Sequence, residues 1–290
     1  MGVFFFGMGY SSLAAANAIH QTIAANIPIF GTTRTEDGLE ALADSPYRMH
    51  VFDGNVPGET LVPDLHKATH VVLSIPPTDA GDPALNLHRS DLDAAPDLEW
   101  LCYYSTVGVY GDFGGQWIDE TAPTRPINQR SAHRVEVEQQ WRDYAAGRGV
   151  PLLILRLAGI YGPGRSSFDK LREGTARRIV KAGQVFNRIH VEDIGRVTAL
   201  AAQRKLAGTF NLADDEPAPP QDLIEYAAHK LGAAVPPDIS FESAEMTSMA
   251  RSFYSDNKRV SNAAIKQALG IDLLYPNYRV GLDAIGKAPA

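Results

Sequence analysis

The sequence predicts an α/β protein built on a doubly wound parallel β-sheet. Short apolar segments alternate with helical segments, and the first apolar segment ends in a glycine turn that opens a helix. Strands that alternate with helices form parallel sheets with helices on both faces. The predicted strands cover residues 3–6, 27–30, 49–52, 70–75, 100–105 and 152–157.

Helical composition or periodicity predicts helices between these strands, at residues 13–25, 36–43, around 83–89, and 130–146. After residue 157 the pattern loosens, and a basic segment at residues 167–182 is the next predicted helix. We therefore expect a core over residues 1–160. Residues 161–290 are expected to complete the sheet and to form a smaller, substrate-binding lobe.

The turn after the first strand has the features of a phosphate-binding loop. Gly7 permits a tight turn, Gly9 lets a pyrophosphate approach the backbone, and a helix that begins near Ser11 offers free N–H groups. Ser12 stands where a third glycine would allow close packing of helix on strand. An ordinary strand-to-helix turn is the alternative interpretation. The predicted dinucleotide contacts are Gly7, Gly9, Tyr10, Ser11 and Ser12.

Composition and charge narrow the class of protein. The 290 residues are 44% hydrophobic and 21% charged, and the formal charge of -7 argues against a nucleic-acid partner. Cys102 is the single cysteine, so a reducing compartment is expected. No cluster has metal-ligand spacing, and no apolar run reaches the roughly 18 residues of a membrane span. These features predict a cytoplasmic protein with neither metal nor membrane contact.

The end of the second strand predicts which dinucleotide binds. An acidic residue at this place holds the adenosine ribose hydroxyls, whereas a basic residue accommodates a 2′-phosphate. Arg34 offers a guanidinium suited to phosphate oxygens, and Thr32 and Thr33 offer hydroxyls, so NADP is favoured and NAD is the alternative. Glu36 and Asp37 weaken this interpretation. The alternative interpretation is that Arg34 is a solvated arginine at the start of a helix.

Four further motifs follow along the chain. They are YSTVGVYG at 104–111, DETAPTRP at 119–126, RLAGIYGPGR at 156–165 and RIHVEDI at 188–194. In this order they resemble the extended short-chain dehydrogenase/reductases, the NAD-dependent epimerase/dehydratase family. The resemblance implies a Rossmann-type core, an NAD(P) cofactor, a small-molecule substrate and, as a family expectation, a homodimer. It implies cofactor contacts at Asp53, Ser74 and Pro163, although Asp53 suits a turn with Gly54 equally well.

The resemblance also implies a catalytic Ser or Thr after the fifth strand and a Tyr-x-x-x-Lys pair on the next helix. Thr106 falls at the hydroxyl position. Counting back from Glu138, which resembles an acidic residue four positions after the family lysine, puts Arg134 at the lysine position and Arg130 at the tyrosine position. The two arginines share a helix face and could both point at the cofactor. Arg130 cannot replace tyrosine as proton shuttle, because deprotonating arginine at pH 7 costs on the order of 8 kcal/mol.

Other side chains are weaker candidates to replace the tyrosine. His133 lies about 100° around the helix from Arg134, which favours a surface role. Tyr144 lies at the far end of the same helix, too distant from Thr106. Structural roles are also favoured for three residues of the later motifs, Tyr110, Tyr161 and His190. The departure from the family pattern resembles the atypical branch of the superfamily, whose members often lack the tyrosine.

Seven basic residues against two acids occur between residues 165 and 188. The family places its substrate near this region, so the resemblance implies an anionic substrate such as a nucleotide-linked sugar or a carboxylate. A solvated helix face is the alternative interpretation. The basic residues are Arg165, Lys170, Arg172, Arg177, Arg178, Lys181 and Arg188.

Three functions remain open at this point. The first is an NADP-favouring oxidoreductase or epimerase/dehydratase-like enzyme with a non-standard active site that uses Thr106, Arg130 and Arg134. The second is a non-catalytic NADP-binding redox sensor or regulator. The third, a Rossmann protein without a dinucleotide, is disfavoured by the glycine pair and Arg34. The sequence does not predict the substrate.

Overall fold

The computed structural model describes residues 1–287. Strands and helices alternate over residues 3–106 and follow a less regular order after that. The strands are β1 (Val3–Phe6), β2 (Ile29–Thr33), β3 (Arg48–Val51), β4 (His70–Leu73), β5 (Trp100–Thr106), β6 (Trp117–Ile118), β7 (Leu152–Leu157), β8 (Gly159–Tyr161), β9 (Arg178–Val180), β10 (Arg188–His190), β11 (Gly208–Leu212), β12 (Asp238–Ser240) and β13 (Arg259–Val260). The helices are α1 (Tyr10–Thr22), α2 (Glu36–Glu40), α3 (Val62–Leu65), α4 (Pro83–Ala94), α5 (Gln129–Arg148), α6 (Ser167–Arg172), α7 (Val191–Arg204), α8 (Pro220–Leu231), α9 (Ser248–Ser252), α10 (Ala263–Leu269) and α11 (Tyr278–Lys287).

Seven strands form the central sheet, in the order β11-β7-β5-β4-β1-β2-β3. The pairs from β5 to β3 are parallel, with Phe4 of β1 between Phe30 of β2 and Val71 of β4. The predicted α/β fold with a parallel central sheet is confirmed. The six predicted strands lie close to their predicted positions, because strands covered on both faces are continuous apolar runs.

The centre of the sheet is buried on both faces. All four residues of β1 have no solvent exposure, and the rings of Phe4 and Phe6 lie 4.9 Å apart between centroids. Helix α1 lies close to α7, because a Cβ added to Gly195 of α7 would meet the carbonyl oxygen of Ala14 at 2.6 Å. Alanines at the α1 surface and a glycine on α7 thus allow the two backbones to approach.

The chain divides into two compact units. Unit 1 contains residues 1–106, 129–156 and 194–210, and unit 2 contains residues 107–128, 157–193 and 211 onward. Both units take segments from either side of residue 160, where the sequence indicated a boundary. Unit 2 contains three two-stranded parallel sheets, which pair β8 with β10, β9 with β12, and β6 with β13.

The prediction of one helix over residues 167–182 is wrong in its second half. Helix α6 ends at Arg172, and strand β9 occupies Arg178–Val180. The reason is Gly174, which has a φ of +69° and so adopts the left-handed conformation that ends helices. Helical composition alone does not reveal this stop.

A buried carboxylate joins three elements of unit 1. Glu138 of α5 is 1% exposed and accepts hydrogen bonds from Ser105 Oγ of β5 at 2.6 Å and from Arg156 Nη2 of β7 at 2.7 Å. Arg156 Nε and Arg142 Nη2 each add a bond of 3.0 Å. Burial raises the pKa of Glu138, but the hydrogen bonds and charges of Arg156, Ser105 and Arg142 outweigh burial, so the pKa is lowered.

We expect the Glu138→Ala substitution to destabilise the protein by about 3–5 kcal/mol, because it leaves the buried Arg156 guanidinium without its counter-charge. Urea denaturation measures this loss. The matched control is Glu136→Ala, an exposed position of α5, for which a change within about 0.5 kcal/mol is expected. Because folding lowers the pKa of Glu138, its contribution is present above pH 4.5, its ordinary pKa, and is lost as the pH falls through the folded-state pKa. Equal effects of the two substitutions would contradict this role.

Candidate functional site

The glycine turn lies where the strand order of the sheet reverses. From β1 the chain continues to β2 and β3 on one side, and it returns to β4 and β5 on the other. In open α/β sheets, ligands bind beyond the carboxyl ends of the strands at such a reversal. Gly7 directly follows β1 and Ser74 directly follows β4, so the fold brings both to this place.

Gly7 is required by the fold itself. Its φ of +92° lies in the left-handed region, and an added Cβ would approach Ser74 Oγ to 2.8 Å. Its N–H donates to Thr32 Oγ1 of β2 at 2.8 Å, and the next N–H, of Met8, donates to the Thr32 carbonyl oxygen at 2.6 Å. Thr32 therefore holds the turn from the β2 side, a role that the sequence reasoning missed.

Gly9 differs from Gly7, because the fold does not require glycine there. It is the exposed N-cap of α1, its φ of -84° suits any residue, and an added Cβ would meet nothing of residues 1–287 within 4 Å. Within the same range no side chain caps this helix end, and the first turn of α1 contains no acidic residue. Open space beside an uncapped helix N-terminus fits the pyrophosphate of a dinucleotide, since N–H groups and the helix dipole attract anions there.

The structure places Ser12 and Ser74 behind the turn. Ser12 is 1% exposed, and its Oγ donates to Ser74 Oγ at 2.9 Å. Ser74 Oγ in turn donates to the carbonyl oxygen of Gly7 at 2.7 Å. Tyr10 and Ser11 lie half-buried in the first turn of α1. The predicted cofactor contacts of this segment are thus gathered around one turn.

The residues after β2 and β3 occupy exposed turns of unit 1. Arg34 is exposed, whereas the Thr33 hydroxyl donates to the carbonyl oxygen of Thr35 at 3.1 Å. Asp53 accepts bonds from the backbone N–H of Asn55 at 2.8 Å and from its side chain at 2.9 Å. These bonds lower the pKa of Asp53. The Asp53 carboxylate is engaged in its own turn.

The two arginines of α5 have different surroundings. Arg134 Nη1 donates to Tyr103 Oη at 3.0 Å and to the Tyr104 carbonyl oxygen at 2.6 Å, and its guanidinium lies 5.5 Å from the Tyr103 ring centroid. Arg130, one turn earlier, is exposed. Thr106 is the half-buried last residue of β5. Arg134 therefore binds the strand that ends in Thr106, a contact that the sequence reasoning missed.

Two other residues of α5 have structural partners. The Nε2 atom of His133 lies 2.7 Å from Gln129 Nε2, and its Nδ1 atom lies 3.8 Å from Asp79 Oδ1. Tyr144 is buried in the core of unit 1, where its ring packs on Trp141 at 5.5 Å between centroids. Tyr144 is the single tyrosine of α5, so no phenol on this helix is placed beside Arg130.

The aromatic residues of the later motifs pack within unit 2. His190 is 1% exposed, its ring centroid lies 3.8 Å from that of Tyr275, and burial lowers its pKa to about 4. The Tyr161 ring packs edge-on against His190 at 5.1 Å. Tyr110 Oη donates to Asn211 Oδ1 at 2.7 Å. Pro163 is exposed in a short turn.

Several side chains of the basic segment are engaged within unit 2. Arg178 pairs with Glu225 at 2.9 Å and with Asp238 at 2.7 Å. Arg188 is 7% exposed and donates to the carbonyl oxygens of Phe186 and Ala218, each at 3.0 Å. These contacts favour a structural role for both arginines over the binding of an anion.

Two further findings concern residues 1–287. No three or more His, Cys, Asp or Glu side chains in this range come together in a group that could hold a metal ion. Nor does any helix in the described range combine the length and apolar character needed to cross a membrane.

Comparison with known proteins identifies relatives over nearly the whole chain. The model of the NAD dependent epimerase/dehydratase family matches residues 85–213. A functionally unknown conserved protein from Silicibacter pomeroyi DSS is 45% identical, with a TM-score of 0.87 and 98% of each chain covered. Protein YeeZ of Escherichia coli (strain K12) is 26% identical over 285 residues, which cover 93% of this chain and 95% of YeeZ.

A more distant likeness concerns the fold alone. The UDP-glucose 4-epimerase of Thermus thermophilus, solved as a complex with NAD, is 18% identical, with a TM-score of 0.75 and 100% of each chain covered. The family match begins at residue 85, beyond the glycine turn. The geometry of Gly7 and Gly9 is therefore evidence separate from that match.

Proposed function

We propose that the chain is a member of the NAD-dependent epimerase/dehydratase family, whose model matches residues 85–213. In this proposal it binds a nicotinamide dinucleotide at the turn after β1 and uses it in an epimerase/dehydratase-like or oxidoreductase-like reaction. The observation that carries this proposal is the open space at Gly9 beside the uncapped N-terminus of α1. A fold that bound no anion there would gain from a capping side chain at this position. The substrate is not identified.

Different residues of unit 1 contribute to different parts of the proposed dinucleotide site. The N-terminus of α1 attracts the pyrophosphate, and Thr32 and Ser74 hold the turn from the two neighbouring strands. Exposed Arg34, directly after β2, is available to a 2′-phosphate, which supports NADP. The NAD complex of the Thermus epimerase supports NAD instead. We propose NADP, with Arg34 as the residue that discriminates between the two.

Once bound, the nicotinamide supplies hydride transfer, for which position matters more than any particular acid. Thr106 offers a hydroxyl at the end of β5, and Arg134 fixes that strand end through Tyr103 and Tyr104. Arg130 offers an exposed positive charge but moves no proton near neutral pH. In this proposal the tyrosine of the family is absent, and water or the substrate itself carries the proton.

A second candidate function is binding without turnover, as in a redox sensor or regulator. Two observations favour it. Arg134 Nη1 is hydrogen-bonded to β5. Tyr144, the single tyrosine of α5, is buried. Both candidates need the same dinucleotide site. They differ only in whether the bound nicotinamide changes oxidation state.

We expect the Gly9→Asp substitution to weaken NADPH and NADH binding by at least about 100-fold, because the carboxylate fills the open space, occupies the helix N–H groups and repels the pyrophosphate. The same substitution caps α1, so the free energy of unfolding of the protein without ligand should rise by about 0.5–1 kcal/mol or stay unchanged. Fluorescence titration and urea denaturation measure the two effects. The control is Thr247→Asp at the N-cap of α9 in unit 2, which should leave affinity unchanged. Unchanged affinity in Gly9→Asp would refute the site.

The Arg34→Ala substitution tests the choice of dinucleotide. We expect the Kd for NADPH to rise about 10- to 100-fold more than the Kd for NADH, because only NADPH has the 2′-phosphate that a guanidinium binds. Parallel titrations with both dinucleotides measure the ratio, and Arg172→Ala on α6 is the control. Equal losses for NADPH and NADH would leave NAD as the cofactor.

A third prediction separates turnover from binding alone. We expect the loaded protein to convert at least one member of a panel of sugar nucleotides, aldehydes and ketones. Nicotinamide absorbance measures a net oxidation or reduction, and chromatography of the products measures a reaction that returns the hydride to the substrate. Thr106→Val should reduce this rate about 100-fold while leaving dinucleotide affinity within about 2-fold, because the lost hydroxyl acts on the substrate. A rate that Thr106→Val does not alter would remove Thr106 from the reaction. A dinucleotide that binds but reacts with no member of the panel would favour the sensor.

A further inference from the structure

Ser12 occupies the place at which the dinucleotide motif usually has its third glycine. Its side chain is 1% exposed, so its hydroxyl needs a partner inside unit 1. That partner is Ser74 Oγ at 2.9 Å, on the loop that follows β4. The residue that departs from the motif therefore links α1 to β4, the strand on the other side of the sheet reversal.

Ser74 also contacts the turn. Its hydroxyl donates to the carbonyl oxygen of Gly7 at 2.7 Å and lies 3.1 Å from that of Phe6. The N–H of Gly7 is held by Thr32 Oγ1 at 2.8 Å. Both polar atoms of Gly7 are thus bound by side chains, the N–H by Thr32 of β2 and the carbonyl oxygen by Ser74 directly after β4.

This arrangement has a consequence for an anionic ligand. A carbonyl oxygen that faces a pyrophosphate repels it, whereas N–H groups attract it. Ser74 engages the Gly7 carbonyl, and Ser12 supplies the hydrogen bond that orients the Ser74 hydroxyl. Linked hydroxyls of this kind strengthen one another, and a turn held before binding loses less entropy when the ligand arrives.

We propose that the Ser12–Ser74 hydrogen bond positions the Gly7 turn for the pyrophosphate, and that Ser12 is a positioning residue with no contact to the dinucleotide. The bond replaces the close packing that a third glycine provides. This inference rests on the proposed dinucleotide site. A consequence specific to this inference is that Ser12→Gly, which restores the usual motif, should weaken dinucleotide binding.

The test is a double-mutant cycle on the full chain, with ADP-ribose and NADPH as probes and titration calorimetry as the measurement. We expect Ser12→Ala and Ser74→Ala each to raise the Kd about 3- to 10-fold, the effect of one hydrogen bond. The double variant should bind about as weakly as the weaker single variant, because both substitutions break the same relay. Ser12→Gly should also bind more weakly than the unaltered protein.

The matched control is Thr69→Val at the opposite end of β4. Thr69 directly precedes this strand, and its hydroxyl accepts the N–H of Gly2 at 3.2 Å. The substitution should lower stability as much as Ser74→Ala does, yet leave the Kd unchanged. A merely structural role for Ser74 would give the two variants the same affinity.

The outcomes distinguish the inference from the function on which it rests. If the unaltered protein binds neither probe, the proposed function fails and the inference fails with it. If the unaltered protein binds the probes, and Ser12→Ala and Ser12→Gly each bind them as tightly as the unaltered protein does, the inference alone is wrong. Losses that multiply in the double variant would show that the hydroxyls act separately, which also overturns it.

Discussion

Gly7 is the residue on which the candidate site depends. Its backbone lies in the left-handed region, and its N–H and carbonyl oxygen are bound by Thr32 and Ser74 from the strands on either side of β1. Helix α1 starts where this turn ends, so the direction of its N-terminus is fixed by the same contacts. The apolar β1, buried on both faces, gives the turn a rigid base.

The central sheet could be predicted because buried parallel strands differ from their surroundings in composition. Later elements could not, since β6 and β13 have two residues each and α6 is stopped by a single glycine. Hydrogen-bond partners were also beyond prediction, because they depend on the register of neighbouring strands. Thr32 contacts the turn only because β2 pairs with β1, and the sequence alone does not show which residues of the two strands lie next to each other.

Helix α5 shows the same division between what a sequence can and cannot indicate. Position counting along α5 identified Arg130 and Arg134, and the structure separates them into an exposed side chain and one bound to β5. Glu138 was used only as a marker in that counting. In the structure it is a buried centre of hydrogen bonds that joins β5, α5 and β7. Motif spacing gives order along a helix, whereas the surroundings of each side chain come from packing.

The contrast between Gly7 and Gly9 has a consequence for how this chain balances stability against function. Gly7 serves the fold, so its presence says little about any ligand. The fold of residues 1–287 does not require glycine at position 9, and a capping side chain there would stabilise α1 by roughly a few tenths of a kcal/mol. By keeping glycine the chain forgoes that gain, which is the usual trade-off at a site maintained for binding. If the proposed dinucleotide site is correct, the small deficit in helix capping is a thermodynamic trace of the ligand.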